Sequence, residues 1–154
     1  MTPAVAAAKR QGIAHRLHEY THDPAAGSYG LEAAEKLDID PQRVFKTLVV
    51  ELDSAQLAVA IVPVSQQLNL KRCAKALGCK KVRMAEPKAV ERATGYVLGG
   101  VSPLGQKRRL RTLLDSSAEP FETIYVSAGR RGLEIELSPQ DLVDLTGGGL
   151  GEIS

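Results

Sequence analysis

A chain of 154 residues, 44% of them hydrophobic and 25% charged, holds enough apolar surface for one compact unit that buries roughly 70% of what its unfolded form exposes. A net charge of +2 argues against a surface coated with cations for non-specific nucleic-acid binding, and an aromatic share of 4% with no tryptophan argues against a stacking platform for single-stranded bases. No run approaches the roughly 18 apolar residues of a membrane span, and MTPAVAAAKRQG lacks a signal peptide's apolar core, so a soluble cytoplasmic chain is expected.

In chain order, TPAVAAAKRQ reads as a short helix, with Pro3 tolerated in its first turn and Gly12 beyond its end. IAHRLHEYT alternates like a strand, YGLEAAEKLDI like a helix, and Asp40 before Pro41 caps a further turn. FKTLVVEL and QLAVAIVPV are the strongest strands, joined by a hairpin-length connection at LDSAQ. NLKRCAKALG is a helix from a cap at Asn69 to a stop at Gly78. KKVRMA is a short strand, and AEPKAVERATG is a helix from Pro87 to Gly95. LRTLLD, FETIYVSAG and LEIELS read as strands, and SPQDLVDLTG, capped by Ser138, runs out into glycines. The interspersed order lacks a βαβ rhythm. It predicts a mixed α/β fold of the α+β kind, with a partly antiparallel sheet curled toward an open barrel and helices around it, and one domain over residues 1–154.

Several side chains stand out chemically. Cys73 and Cys79 are the two cysteines, and their spacing matches neither a zinc site nor a disulfide framework, which points to a reducing compartment. His15, His18 and His22 crowd one strand, but alternation sends His15 and His18 to opposite faces, so no shared metal is expected. No nucleophile sits in a G-x-S-x-G elbow. Lys46 shares a strand face with Leu48, Val50 and Leu52. Such an ammonium either reaches past the core rim to water or waits at a pocket mouth for an anion.

The stretch GYVLGGVSPLGQKRRLR places Gly99, Gly100 and Gly105 around Pro103, a loop able to present bare backbone N–H groups to an oxyanion or phosphate. Its Gly100–Gly105 spacing approaches a P-loop. Gln106 and Lys107 replace the required Lys-Ser/Thr pair, so nucleotide hydrolysis is not supported. Lys107, Arg108, Arg109 and Arg111 follow directly, either as a solvated strand face or as phosphate contacts. In VSAGRRGLEIE, Ser127 and Gly129 lead to Arg130 and Arg131, which are placed to pair with Glu134 and Glu136. Both carboxylates lie on one side of the strand, and the pattern leaves open which of them faces a cleft.

Taken together, HEYTHDP, VFKTL, LAVAIVPV, KALGCKKV, TGYVLGGVSPLGQK and TIYVSAGRRGLEIEL resemble the YbaK/EbsC family, in particular its free-standing Cys-tRNA(Pro) deacylases related to the editing domain of bacterial prolyl-tRNA synthetase. The resemblance covers nearly the whole chain. It implies removal of cysteine from misacylated tRNA(Pro), with the substrate's own thiol attacking its ester carbonyl and leaving as a thiolactone, and with no metal or cofactor. Lys46 would then be the principal catalytic residue. Tyr20, Tyr29, Gly99, Gly100, Val101, Ser102, Pro103, Ser127, Gly129 and Glu134 would line the aminoacyl site, and Lys107, Arg108 and Arg109 would hold tRNA phosphates. Misacylated tRNA(Pro) and prolyl-tRNA synthetase are the implied partners, with no DNA and no membrane. Two positions depart from the family pattern, Tyr29 where phenylalanine is common and Glu134 where aspartate is common. A deacylase of another misacylated tRNA, such as Ala-tRNA(Pro), and a non-enzymatic module binding tRNA ends or partner proteins remain open alternatives.

Overall fold

Residues 1–26 and 29–154 are described by the computed structural model, with the side chain of Tyr29 left aside. The chain begins with helix α1 (Pro3–Arg10), whose first turn is closed by Thr2 Oγ1 accepting from Val5 N at 3.2 Å. Strand β1 (Arg16–Glu19) and helix α2 (Tyr29–Lys36) follow, then a short 3-10 turn at Pro41–Arg43 that Asp40 caps. Strands β2 (Phe45–Leu52) and β3 (Leu57–Pro63) pair antiparallel from Phe45–Pro63 to Glu51–Leu57. Helix α3 (Leu70–Leu77), strand β4 (Val82–Met84) and helix α4 (Pro87–Thr94) come next. The last third holds β5 (Arg111–Asp115), β6 (Ile124–Arg130), β7 (Leu133–Leu137), helix α5 (Pro139–Thr146) and β8 (Gly149–Gly151). Caps at Asn69 and Ser138 close α3 and α5 as the sequence predicts, each contributing about 1 kcal/mol.

Two sheets result, one of three strands ordered β1-β7-β6 and one of five ordered β4-β2-β3-β5-β8. The larger is mixed, because β5 runs parallel to both β3 and β8 while β2 is antiparallel to its neighbours. The sheets are not closed into a barrel; they meet at an isolated parallel bridge between Val44 and Tyr125. The residue pattern predicts no strand after α5, because glycines there suggest loop. Gly149–Gly151 nonetheless adds to the edge of β5, held by register with Leu113–Asp115 rather than by β propensity.

Alternation along the two central strands divides the apolar interior. Phe45, Val49, Val59 and Ile61 face the three-stranded sheet and join Val126, Ile135 and Leu137 in the main core, with α1, α4 and α5 around it. Val50, Ala58, Ala60 and Val62 face the other way, beneath Cys73, Ala74 and Leu77 of α3. A smaller cluster sets Ala33 and Ala34 of α2 against Val44, Val64 and Tyr125 at the meeting line of the sheets.

Asp115 at the end of β5 ties down the residues that follow β8. It is buried and accepts from Ile153 N at 2.9 Å, Ser154 N at 3.0 Å and Ser154 Oγ at 3.1 Å. Burial by itself raises its pKa, but the hydrogen bonds from Ser117, Ile153 and Ser154 outweigh that and hold the carboxyl below its ordinary range. Because the folded pKa is depressed, this stabilisation is present above the unfolded pKa of about 3.9 and is lost as pH falls through the folded value. Asp115→Asn is expected to lower unfolding free energy by about 2 kcal/mol at pH 7, with the two proteins converging toward pH 2, as read from urea midpoints across that range.

Candidate aminoacyl-binding cleft

The bridge at Val44 and Tyr125 aligns β2 and β6 in the same direction. Lys46 and Ser127 each follow it by two residues and so arrive at the same end of the seam. Lys46 is half-buried on the face of Leu48, Val50 and Leu52, as alternation predicts. Among the described residues its ammonium has no hydrogen-bond or ion-pair partner, and burial lowers its pKa. Its neighbour Thr47 turns to the opposite face, where Oγ1 is buried without a hydrogen-bond partner.

Across the seam, β7 presents Glu134 and Glu136 away from the main core, and the two carboxylates meet different fates. Glu136 Oε1 lies 2.9 Å from His18 Nε2, its Oε2 accepts from Thr123 Oγ1 at 2.6 Å, and Arg43 Nη2 approaches to 3.7 Å. Burial acts against its charge, but these hydrogen bonds and cations outweigh burial and depress its pKa. Glu134 is 6% exposed and has no hydrogen-bond or ion-pair partner among the described residues. Burial pushes its pKa up to about 8, so it is largely a neutral acid at pH 7. Its strand neighbours are His18 on β1 and Ser127 on β6, and its charge, when present, raises the pKa of the Tyr20 hydroxyl after burial has done so first. Among the described residues Glu134, unlike Glu136, is thus left without a partner.

Tyr20 is placed by its backbone, whose N–H donates to Gly132 O at 3.0 Å. Beside it, Glu32 of α2 forms a junction the sequence does not announce. Its carboxylate accepts from Asp23 N at 2.8 Å, lies 3.0 Å from His22 Nδ1, and approaches Lys36 at 3.8 Å and Arg131 at 3.6 Å. The junction pins α2 and the segment before it to the β6–β7 turn. Arg130 pairs with Glu19 at 3.4 Å, so the pairing of Arg130 and Arg131 with Glu134 and Glu136 suggested by the sequence is replaced by pairing with Glu19 and Glu32. These partners sit more than ninety residues away in sequence, and no local spacing signals them. Tyr29 opens α2, but its side chain lies outside the described residues.

The glycine loop packs against the same turn. Gly100 sits so near the backbone of Arg130 and Arg131 that a Cβ would lie 2.9 Å from Arg130 Cα. Gly129, with φ of +107°, abuts the Tyr96 ring and Thr2. Gly99 is half-buried at the loop tip, whereas Val101, Ser102 and Pro103 are buried, and Ser102 Oγ accepts from Leu104 N at 3.2 Å. Ser127 Oγ accepts from Gly129 N at 3.2 Å. Ser102 and Ser127 thus bond to backbone and not to a base. Cys73 lies on the buried face of α3 with its thiol pKa raised to about 11, chiefly by burial, and Cys79 lies near it.

Lys107, Arg108 and Arg109 are exposed, with Lys107 N and Arg108 N bonded to Thr94 O and Ala93 O at the end of α4. They do not adjoin Lys46. On β3, Lys46 is opposite Val62 and Arg111 is opposite Ala58, so four residues, about 13 Å along the strand direction, and two strand spacings separate them. No group of three or more His, Cys, Asp or Glu among the described residues could hold a metal ion. None of the described helices is long and apolar enough to cross a membrane.

Residues 23–145 match the family model described as "Aminoacyl-tRNA editing domain". Over 121 residues the chain is 46% identical to the Enterococcus faecalis protein named "Putative Cys-tRNA(Pro)/Cys-tRNA(Cys) deacylase EbsC", covering 79% of this chain and 74% of that one. A segment of 69 residues is 39% identical to the proline–tRNA ligase of Moorella thermoacetica, covering 45% of this chain and 12% of the ligase. The crystal structure of "a putative trans-editing enzyme for prolyl tRNA synthetase" shares the fold, with a TM-score of 0.81 at 22% identity over 100% of this chain and 98% of that one. With a family model spanning most of its length and a relative at nearly half identity, the chain belongs to the aminoacyl-tRNA editing domain family.

Proposed function

We propose that this protein, as a single editing domain over residues 1–154, removes cysteine from misacylated tRNA(Pro) in the cytoplasm, and that the substrate's thiol supplies the nucleophile. The observation that carries this reading is a seam with an unpartnered ammonium at Lys46 and a partnerless acid at Glu134, whose strand neighbour Ser127 bonds only to backbone. Such a cleft orients and stabilises charge; it does not activate a nucleophile of its own. The cysteinyl sulfur attacks the ester carbonyl carbon of the same residue. A C–S bond forms, the C–O bond to the terminal ribose breaks, and the thiol proton ends on the ribose oxygen. Cysteine departs as a thiolactone and the tRNA is left intact.

In this scheme Lys46 neutralises charge that develops on the ester region or sits on the terminal nucleotide. Tyr20, Tyr29, Gly99, Gly100, Val101, Ser102, Pro103, Ser127 and Gly129 shape the aminoacyl pocket, in part through backbone. Neutral Glu134 retains an O–H donor for the substrate that a carboxylate would lack. Lys107, Arg108 and Arg109 hold acceptor-stem phosphates, and prolyl-tRNA synthetase, the source of the error, supplies tRNA identity. Chemistry rather than size does the sorting, since small apolar differences yield only about 1–3 kcal/mol. No cofactor enters.

Deacylation of Cys-, Ala- and Pro-charged tRNA(Pro) by purified protein tests the reading: release of cysteine alone is expected, and equal release of alanine overturns it. Lys46→Ala is expected to lower kcat/KM about a hundredfold or more, while Cys73→Ala with Cys79→Ala keeps activity at wild-type folding. Glu134 supplies a second check. Its folded pKa is raised, so its contribution to stability is full below the ordinary value of 4.5 and falls away as pH rises through about 8. Glu134→Gln should therefore melt at increasingly higher temperature than wild type between pH 5 and pH 9, and a constant difference across that range would remove the neutral-acid assignment.

A further inference from the structure

We infer that Glu136 is a positioning residue for the acid two places before it: by holding the His18 imidazole, it leaves Glu134 without a partner inside the protein and open to the aminoacyl substrate. The inference deepens the proposed reading of a deacylase and rests on it for the part Glu134 plays in the reaction. Strand pairing offers His18 two carboxylates. On β1, His18 is opposite Glu134 and Arg16 is opposite Glu136. Side chains directly opposite in an antiparallel pair have Cβ atoms about 5 Å apart, against about 7 Å for the diagonal. Register alone therefore gives His18 to Glu134, yet His18 Nε2 lies 2.9 Å from Oε1 of the diagonal Glu136.

The ring is drawn to the diagonal because Glu136 is anchored. Its Oε2 accepts from Thr123 Oγ1 at 2.6 Å, and Arg43 Nη2 stands 3.7 Å from the same oxygen. Arg43 is held in turn, with Nε and Nη2 donating to Thr123 O at 3.1 and 3.0 Å and its guanidinium 5.1 Å from the centre of the Tyr125 ring. That ring also meets the His18 imidazole, with centroids 5.2 Å apart. Burial opposes the charge of Glu136, but the contacts from Thr123, His18 and Arg43 outweigh it. The imidazole thus meets an ionised carboxylate, a stronger acceptor than the largely protonated Glu134.

The other groups around Glu134 are engaged elsewhere or stand apart from it. Ser127, opposite it on β6, bonds to Gly129 N. Arg131, in the turn after β6, is drawn to Glu32 at 3.6 Å. The Tyr20 hydroxyl has its pKa raised by burial first and by the charge of Glu134 second, with no hydrogen bond between the two side chains. Lys46 on β2 forms no ion pair with Glu134, whose own raised pKa has burial as its one cause. His18 is therefore the group whose release changes the state of this acid. An imidazole turned to Glu134 accepts the proton that the acid otherwise keeps for the substrate.

The test compares wild type, Glu136→Gln, His18→Phe and the variant carrying both changes. Phenylalanine keeps the ring contact with Tyr125 and offers no nitrogen. Two quantities are read in each: the titration midpoint of the Glu134 carboxyl by NMR, and kcat/KM for cysteine release from Cys-charged tRNA(Pro) at pH 7. Glu136→Gln frees His18 to turn to Glu134, so the midpoint should fall from about 8 by about a unit or more and kcat/KM should drop about tenfold. His18→Phe alone should stay within about twofold of wild type in rate, and the double variant should recover both quantities, because no imidazole remains to occupy the acid. A merely structural role for Glu136 gives the opposite pattern, with the double variant at least as impaired as the single one. Glu136→Asp keeps the charge but shortens its reach, and it should move the midpoint the same way by less, which serves as the test if the glutamine variant does not fold. A Glu134 midpoint unmoved in these variants overturns the inference, as does a double variant that recovers neither quantity. The titration decides the positioning whether or not an ester is cleaved; absence of cysteine release by wild type removes the deacylase reading alone.

Discussion

The structure depends on how two sheets meet. Their only strand-to-strand pairing among the described residues is the bridge between Val44 and Tyr125; the main apolar core lies on one side of it, and only the small cluster of Ala33, Ala34, Val44, Val64 and Tyr125 on the other. The other side cannot be filled in the same way, because β1 and β7 turn His18, Glu134 and Glu136 toward it while β2 turns Lys46. A seam of this kind forces each polar group either to find a partner within the protein or to stand ready for one from outside.

Most of them find partners. Glu136 is held by His18, Thr123 and Arg43, and Arg43 also stacks 5.1 Å above the Tyr125 ring. Glu32 gathers His22, Asp23 N, Lys36 and Arg131. Such buried, hydrogen-bonded charges offset their own desolvation only when every member is satisfied. Lys46 and Glu134 break the pattern in opposite senses. Burial disfavours the charged form of both, which pulls the amine's pKa down and pushes the acid's up, yet neither relieves the other by pairing. Two groups of opposite type are thus left unpaired on the two sides of the seam, the arrangement on which the proposed binding of the aminoacyl end rests.

Much of this was legible in the residues. The strands Phe45–Leu52 and Leu57–Pro63 follow from β-branched runs either side of a polar connection, and the helix stops at Gly78, Gly95 and Gly147 follow from glycine at the required positions. Lys46 stood out because alternation alone puts an ammonium on an apolar face. What could not be read was long-range pairing. Glu32 meets Arg131 across 99 positions, and the final strand at Gly149–Gly151 exists because β5 offers an open edge rather than because its own residues prefer one. The buried state of Ser102 is of the same kind, since a serine in a glycine-rich loop reads as exposed until Tyr96 and Leu104 are seen to fold over it.

Charge illustrates the same gap between composition and space. A sum over the sequence treats Arg83 and Arg108 alike, although the first is consumed by Glu51 and the second faces solvent with no acid beside it. What matters to an approaching polyanion is the unpaired remainder and its placement within a Debye length, about 8 Å at physiological salt. Among the described residues, six of the eight ion pairs draw on the three-stranded sheet, α2 or His22, so the neutralised charge is concentrated around the seam, while cations without an ion pair include those of α1, α3, α4 and the run before β5. A near-neutral protein can in this way carry both a cleft of weak charge, where a small change of protonation counts, and a strongly basic edge that does not perturb it. The separation follows from the fold: the strand that begins at Arg111 runs parallel to β3 and starts at the end of the sheet away from Lys46.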